Sequence, residues 1–234
     1  MPSQDDYLNT WAAIREGDLD RLRRVLDEAP DVVTSWLGGL GRTPLHVVTD
    51  WPGYFPNGPR IAEMLIAAGA DVDARGPDGT GETPLHWAAS SDDADVARVL
   101  IEAGANIEAP DGSIGTPLDN AIGYGCWNVA RLLVARGARV EKLWHASALG
   151  HTDTLTDLLD AEPSTSQTLI DQALWHAGAG GQRRCAELLV NRGAHVDFTP
   201  KYAAGTVLDA ASGDGTQRTN LIEWLEAQGA RRTA

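Results

Sequence analysis

Two short motifs recur in phase along this chain of 234 residues, and no other feature limits its fold as tightly. The first is Thr-Pro-Leu followed by a polar residue, at Thr43–His46, Thr83–His86 and Thr116–Asp119. The second is a glycine-centred ending: AAGADV from Ala67, EAGANI from Glu102, ARGARV from Ala135 and NRGAHV from Asn191. Gly104 and Gly137 stand 33 residues apart. A fixed period of that size marks an array of small units, each of which buries its apolar face only by stacking on a neighbour.

The fullest copy is Gly81–Ala109. Thr83 suits a helix N-cap, and Pro84 suits the first helical position, where its missing N–H costs nothing. The pattern predicts a helix from Pro84 to about Ser91, a turn at Asp92 and Asp93, and a second helix from about Asp95 to Ala103. Val96, Val99 and Leu100 form the apolar stripe of that second helix. Gly104 suits the left-handed position that ends it.

The TPLH run, the paired alanines, the hydrophobic helix and the GADV-like ending together resemble the ankyrin repeat family. The resemblance covers nearly the whole chain. It implies an all-α fold class, an ankyrin-repeat solenoid of about seven helix pairs with short β-turn fingers, forming one domain over residues 1–234. The expected divisions are an N-terminal cap at 5–38, repeats at about 41–73, 81–109, 114–141, 142–165 and 171–198, and a C-terminal cap at 204–234.

Two units depart from the period. Leu45 and Leu65 are 20 residues apart where Leu85 and Leu100 are 15 apart, so the second unit carries an insertion, Trp51 to Pro59. Its prolines and glycines keep it from being helical. Leu118 and Leu143 are only 25 apart, so the finger before the fifth unit is lost. Pro163 to Thr168 reads as a polar linker, and the glycine run Gly178–Gly181 as a turn.

The balance of 19 basic against 33 acidic residues gives a formal charge of −14. That disfavours nucleic acid and anionic membrane surfaces and suits a basic protein partner. Cys126 and Cys185 sit among apolar neighbours and read as small, reduced core residues. No zinc-type spacing appears, so neither a metal nor a cofactor is expected. The acidic start and the lack of a long apolar segment point to a cytoplasmic protein, monomeric by default. Lys142 and Lys201 are the only lysines, and this arginine and alanine usage suggests a GC-rich bacterial genome.

The resemblance implies that His46 and His86 hold adjacent turns together, and that partners bind the inner face of the first helices and the fingers. The fingers are Gly79–Glu82 and Gly112–Gly115, and the matched inner positions run as far as Gly213 and Asp214. The binding candidates are Asp50, Trp51, Tyr54, Phe55, Trp87, Ser91, Tyr124 and Leu149. The expected function is non-catalytic recognition of an unidentified protein partner. Two alternatives remain open. LWHA, at Leu143–Ala146 and Leu174–Ala177, moves the histidine one position from its TPLH place, and so about 100° around the helix. His145 and His176 would then join Asn120 in one polar column, either as packing or as a small-molecule or unusual enzyme site. The other alternative is an acidic inhibitor or immunity protein. GxSxG, HExxH and P-loop patterns are absent from the sequence.

Overall fold

A computed structural model describes residues 2–36, 42–76, 79, 81–213 and 218–233. The expected start of the second unit at Gly41, the finger residue Thr80, the inner-face residue Asp214 and the terminal Ala234 lie outside the described residues. Among the described residues there are fourteen α-helices, one 3-10 helix and no strand. The chain divides into two compact units, residues 1–138 and 139–234.

The first unit holds four helix pairs: α1 (Gln4–Glu16) with α2 (Leu19–Glu28), α3 (Pro44–Thr49) with α4 (Gly58–Ala67), α5 (Pro84–Ser91) with α6 (Ala94–Glu102), and α7 (Pro117–Gly123) with α8 (Trp127–Ala135). First helices pack on first helices, in the order α1, α3, α5, α7, and second helices on second helices. The seam is aliphatic. Leu45, Leu85 and Leu118 from the first helices and Leu65, Leu100 and Leu133 from the second are all buried. Each contributes on the order of 2 kcal/mol by leaving water.

Local chemistry starts α3, α5 and α7 at the expected residues. Thr43, Thr83 and Thr116 are N-caps followed by proline. His46 Nδ1 accepts the Thr43 N–H at 3.2 Å, and His86 Nδ1 accepts the Thr83 N–H at 3.1 Å. A lone pair on Nδ1 leaves the proton on Nε2. Nε2 then donates to the Glu82 carbonyl from His46 and to the Gly115 carbonyl from His86, each at 3.0 Å. Each histidine thus ties its own turn to the next finger. Burial holds both imidazoles below their usual pKa, more than the carbonyl bonds raise it. Asp119 closes the same box at the fourth pair, accepting the Thr116 N–H at 2.7 Å.

The insertion between α3 and α4 is held at both of its flanks. Towards the first pair, Asn57 Nδ2 donates to the Gly17 carbonyl at 2.9 Å, and a Cβ on Gly17 would stand 2.5 Å from the Pro56 carbonyl oxygen. Gly17 also has φ +73°, so glycine satisfies a left-handed turn and a close approach together. Towards the third pair, the Tyr54 N–H donates to Asp93 Oδ2 at 2.7 Å, and the Tyr54 hydroxyl donates to the Asp92 carbonyl.

The second unit holds three pairs: α9 (Leu143–Leu149) with α10 (Thr152–Ala161), α11 (Gln167–Gly180) with α12 (Arg183–Asn191), and α13 (Val207–Ala211) with α14 (Thr219–Ala227). Helix α11 packs between α9 and α13. The glycine run makes this possible. A Cβ on Gly180 would stand 2.0 Å from the Ala148 carbonyl oxygen, and one on Gly178 would stand 2.8 Å from that of Val207. Gly181, at φ +71°, then ends the helix in the left-handed region.

Two expectations are corrected here: the run Gly178–Gly181 is not a turn, since α11 continues through Gly180 and only Gly181 leaves the helix, and the polar linker ends sooner. Gln167 and Thr168 were assigned to a polar linker, but α11 already begins at Gln167. The Gln167 amide donates to Asp171 Oδ1 and to the Gly193 carbonyl, each at 2.9 Å, which anchors an extra first turn. At the far end Asp209 caps α13 and accepts the Thr233 hydroxyl at 2.7 Å and its N–H at 2.9 Å. Those Thr233 bonds, with smaller help from Thr206, hold its carboxyl at about 2.

Among the described residues no helix is long and apolar enough to cross a membrane. Both cysteines are free and buried, and burial pushes the Cys126 thiol up to about 11 and raises that of Cys185. Neither is a thiolate near neutral pH, so neither is a ready nucleophile.

Candidate protein-interaction face

The first unit brings most of the expected binding residues together. Asp50 follows the last turn of α3, and its Oδ1 accepts the Trp51 N–H at 2.9 Å. Its Oδ2 lies 2.9 Å from Arg42 Nη1 and 3.9 Å from Arg15 Nη1. The Arg15 guanidinium also rests 4.4 Å from the Phe55 ring centre, which draws Phe55 in towards α1. Arg42 lies 4.7 Å over the Trp87 ring, whose edge meets His46 at 5.2 Å. Trp51 is 76% exposed and Tyr54 56%.

Glu82 joins this group to the fourth pair. Its Oε1 accepts the Ser113 N–H at 2.8 Å and the Asn120 amide at 2.6 Å. Burial pushes the Glu82 carboxyl up, but these donors outweigh it and hold the group below its ordinary value. Asn120 also donates to Ser90 Oγ at 3.2 Å and accepts the Ile114 N–H at 3.1 Å. The Ser113 hydroxyl lies 3.2 Å from that of Tyr124, which is 55% exposed. Asp50, Trp51, Glu82, Trp87, Ser90 and Ser91 line a cleft of about 190 Å³.

Ser91 is the exception among the binding candidates of this unit. It is 8% exposed, and its hydroxyl donates to the Thr49 carbonyl at 3.0 Å. It closes α5 onto α3 while its neighbour Ser90 stays half-exposed, because one residue further along a helix turns the side chain by about 100°. Two residues of this face were not among the sequence candidates. Glu82 was named only as a finger end and Arg42 not at all. An acidic residue directly before Thr-Pro was the available signal for Glu82.

The second unit carries the other candidates. Leu149 is half-buried at the end of α9. His145 and His176 are 3% and 5% exposed. The Trp144 ring lies 4.3 Å from that of His145 and 4.9 Å from that of His176. His176 Nε2 is 3.2 Å from the Tyr202 hydroxyl, and its Nδ1 is buried without a hydrogen-bond partner. Burial, and then the charge of His145, push His176 down to about 4. A cleft of about 390 Å³ opens beside Trp144, lined also by Lys142, Leu143, Leu158 and Leu169, and neither histidine lines it. Asn120, the third member of the expected polar column, has both ends of its amide engaged within the first unit. Among the described residues no group of three or more His, Cys, Asp or Glu is placed to hold a metal ion.

Helix pairs stacked first on first and second on second, with TPLH histidines reaching into the next finger, define a repeat protein of the ankyrin class. A family model described as ankyrin repeats in three copies matches residues 10–111 and 54–142, and the chain belongs to that family. Protein fem-1 homolog A of Danio rerio is 41% identical over 78 residues, covering 30% of this chain and 12% of that protein. RelA-associated inhibitor of Mus musculus is 38% identical over 93 residues, covering 40% of this chain and 10% of its own length. Protein phosphatase 1 regulatory subunit 27 of Mus musculus is 34% identical over 96 residues, covering 41% and 57%. The chain therefore spans less than two thirds of each of these relatives. The crystal structure of the human ASB11 ankyrin repeat domain aligns over 94% of this chain and 96% of that one, with a TM-score of 0.55 and 20% identity, a likeness of fold alone.

Proposed function

We propose that this chain is a non-catalytic protein-interaction module whose contact face lies on the second to fourth helix pairs. One observation carries the reading. Trp51, Trp87, Glu82, Asn120, Ser113 and Tyr124 form a connected run, with exposed aromatic rings at both ends. Aromatic side chains held by a polar network are what interfaces use as anchors, since they add area at little entropic cost. Two of the similar proteins are titled as an inhibitor and a regulatory subunit, which suits a role exerted by binding. The charge of −14 favours a basic partner. The unpaired thiols suit a reducing compartment such as the cytoplasm.

A catalytic reading needs histidines that a substrate reaches, and His145 and His176 are both buried. Affinity capture from the native cell tests the binding face. The full chain is expected to retain a partner that the Trp51→Ala, Tyr124→Ala double variant loses, with the thermal midpoint of the variant within a few degrees. Equal capture by both proteins would remove this face from consideration.

A further inference from the structure

We infer that the cleft between Trp51 and Trp87 takes the guanidinium of an arginine presented by the partner. This inference rests on the interaction reading above and adds the chemistry of the contact. Both indoles line the cleft together with Glu82, and it measures about 190 Å³, in scale with one long side chain. Indole faces attract cations through their quadrupole, by about 0.5–1 kcal/mol where water still reaches them. Trp87 itself already carries such a contact, with the Arg42 guanidinium 4.7 Å over its ring.

The carboxylates decide the sign of the ligand. Asp50 is spent: Oδ1 holds the Trp51 N–H, and Oδ2 holds Arg42 and faces Arg15. Glu82 is different. Its donors, the Ser113 N–H and hydroxyl and the Asn120 amide, are all neutral groups, so the carboxylate carries its charge into the cleft that it lines. A planar guanidinium stacked on indole can also donate in its own plane to a carboxylate oxygen, which a compact ammonium does less well. Asp50, set between Arg42 and Arg15, offsets part of the repulsion that these cations exert on such a guest. The overall charge of −14 would draw a cationic segment in from a distance.

The test uses the full chain labelled with nitrogen-15, observing the indole N–H signals of Trp51 and Trp87. The probes are N-acetyl-arginine-N-methylamide and its neutral citrulline counterpart. The arginine probe is expected to shift both indole signals saturably, and citrulline at least about fivefold less. Glu82→Gln keeps an oxygen for Ser113 and Asn120 while removing the charge. It is expected to weaken the arginine response about fivefold with the Ser113 amide signal unmoved. Equal response to arginine and citrulline, or an unaltered response in Glu82→Gln, would overturn the inference. The two readings fail separately. Partner capture lost in the Trp51, Tyr124 double variant without any arginine response leaves the face and discards the guanidinium. An arginine response with capture intact in the double variant discards the face.

Discussion

The backbone N–H of Tyr54 donates to Asp93 Oδ2 at 2.7 Å, joining two residues 39 positions apart. The other oxygen of the same carboxylate accepts the Val96 N–H at 3.0 Å and so caps α6. Asp93 is 1% exposed. A single buried side chain therefore starts one helix and pins the insertion that carries Trp51. The face proposed for binding is set by this bond as much as by the aromatic residues themselves.

Asp93→Ala should lower stability by about 2–4 kcal/mol, combining a lost N-cap with a lost charge-assisted bond. Urea denaturation reads the loss. Amide hydrogen exchange at Tyr54 should quicken well beyond that at Leu133, which lies far from the insertion. Wild-type exchange at Tyr54 in the variant would mean that packing and the bonds of Asn57 and the Tyr54 hydroxyl hold the insertion without Asp93.

Gly180→Ala tests the packing of α11 on α9. Alanine is the better helix former by about 0.8–1 kcal/mol, so helix propensity alone forecasts a gain. The added Cβ would stand 2.0 Å from the Ala148 carbonyl oxygen, a backbone atom with little freedom to retreat. Overpacking of this kind typically costs about 1–3 kcal/mol, so a net loss is expected in thermal or urea unfolding. A stabilised variant would show that α9 and α11 stand further apart than described.

Acid should weaken the fold through its buried histidines. His46, His86 and His176 all have folded pKa values below the ordinary histidine value, with burial the largest cause, and His176 falls to about 4. The unfolded chain takes up these protons near pH 6.5, and the folded chain resists until lower pH. The unfolded state then binds more protons, so stability falls as pH drops below about 6.5. For His176 the decline continues to about pH 4 and reaches on the order of 3 kcal/mol. Urea midpoints from pH 7 to pH 4.5 should fall for the wild type and fall less for His176→Phe. Parallel curves for the two proteins would show that His176 is solvated in the folded chain.

The fold was legible because its information is local. Thr83 and Pro84 start α5, Asp92 and Gly104 turn the chain, and Val96 and Leu100 face inward, all within one repeat. A helix pair repeated in phase leaves few ways to stack. The site was only partly legible. Trp51, Trp87 and Tyr124 stood out as aromatic residues near the inner rim. Glu82 did not, because its role depends on Ser113 and Asn120, more than 30 residues further on. Ser91 reads from sequence like Ser90, yet it faces α3.

The sequence by itself therefore determined the repeat and the helix starts at Thr43, Thr83 and Thr116, since capping and periodicity act over a few residues, while the histidine ties came from the family resemblance. Only the tertiary structure decided that the insertion is fastened to both neighbouring pairs, that His176 is buried beneath Trp144 and Tyr202, and that Ser113 and Asn120 are the groups bonding Glu82. Those outcomes turn on close approaches between residues distant in the chain, and such approaches are not written in the spacing of residue types.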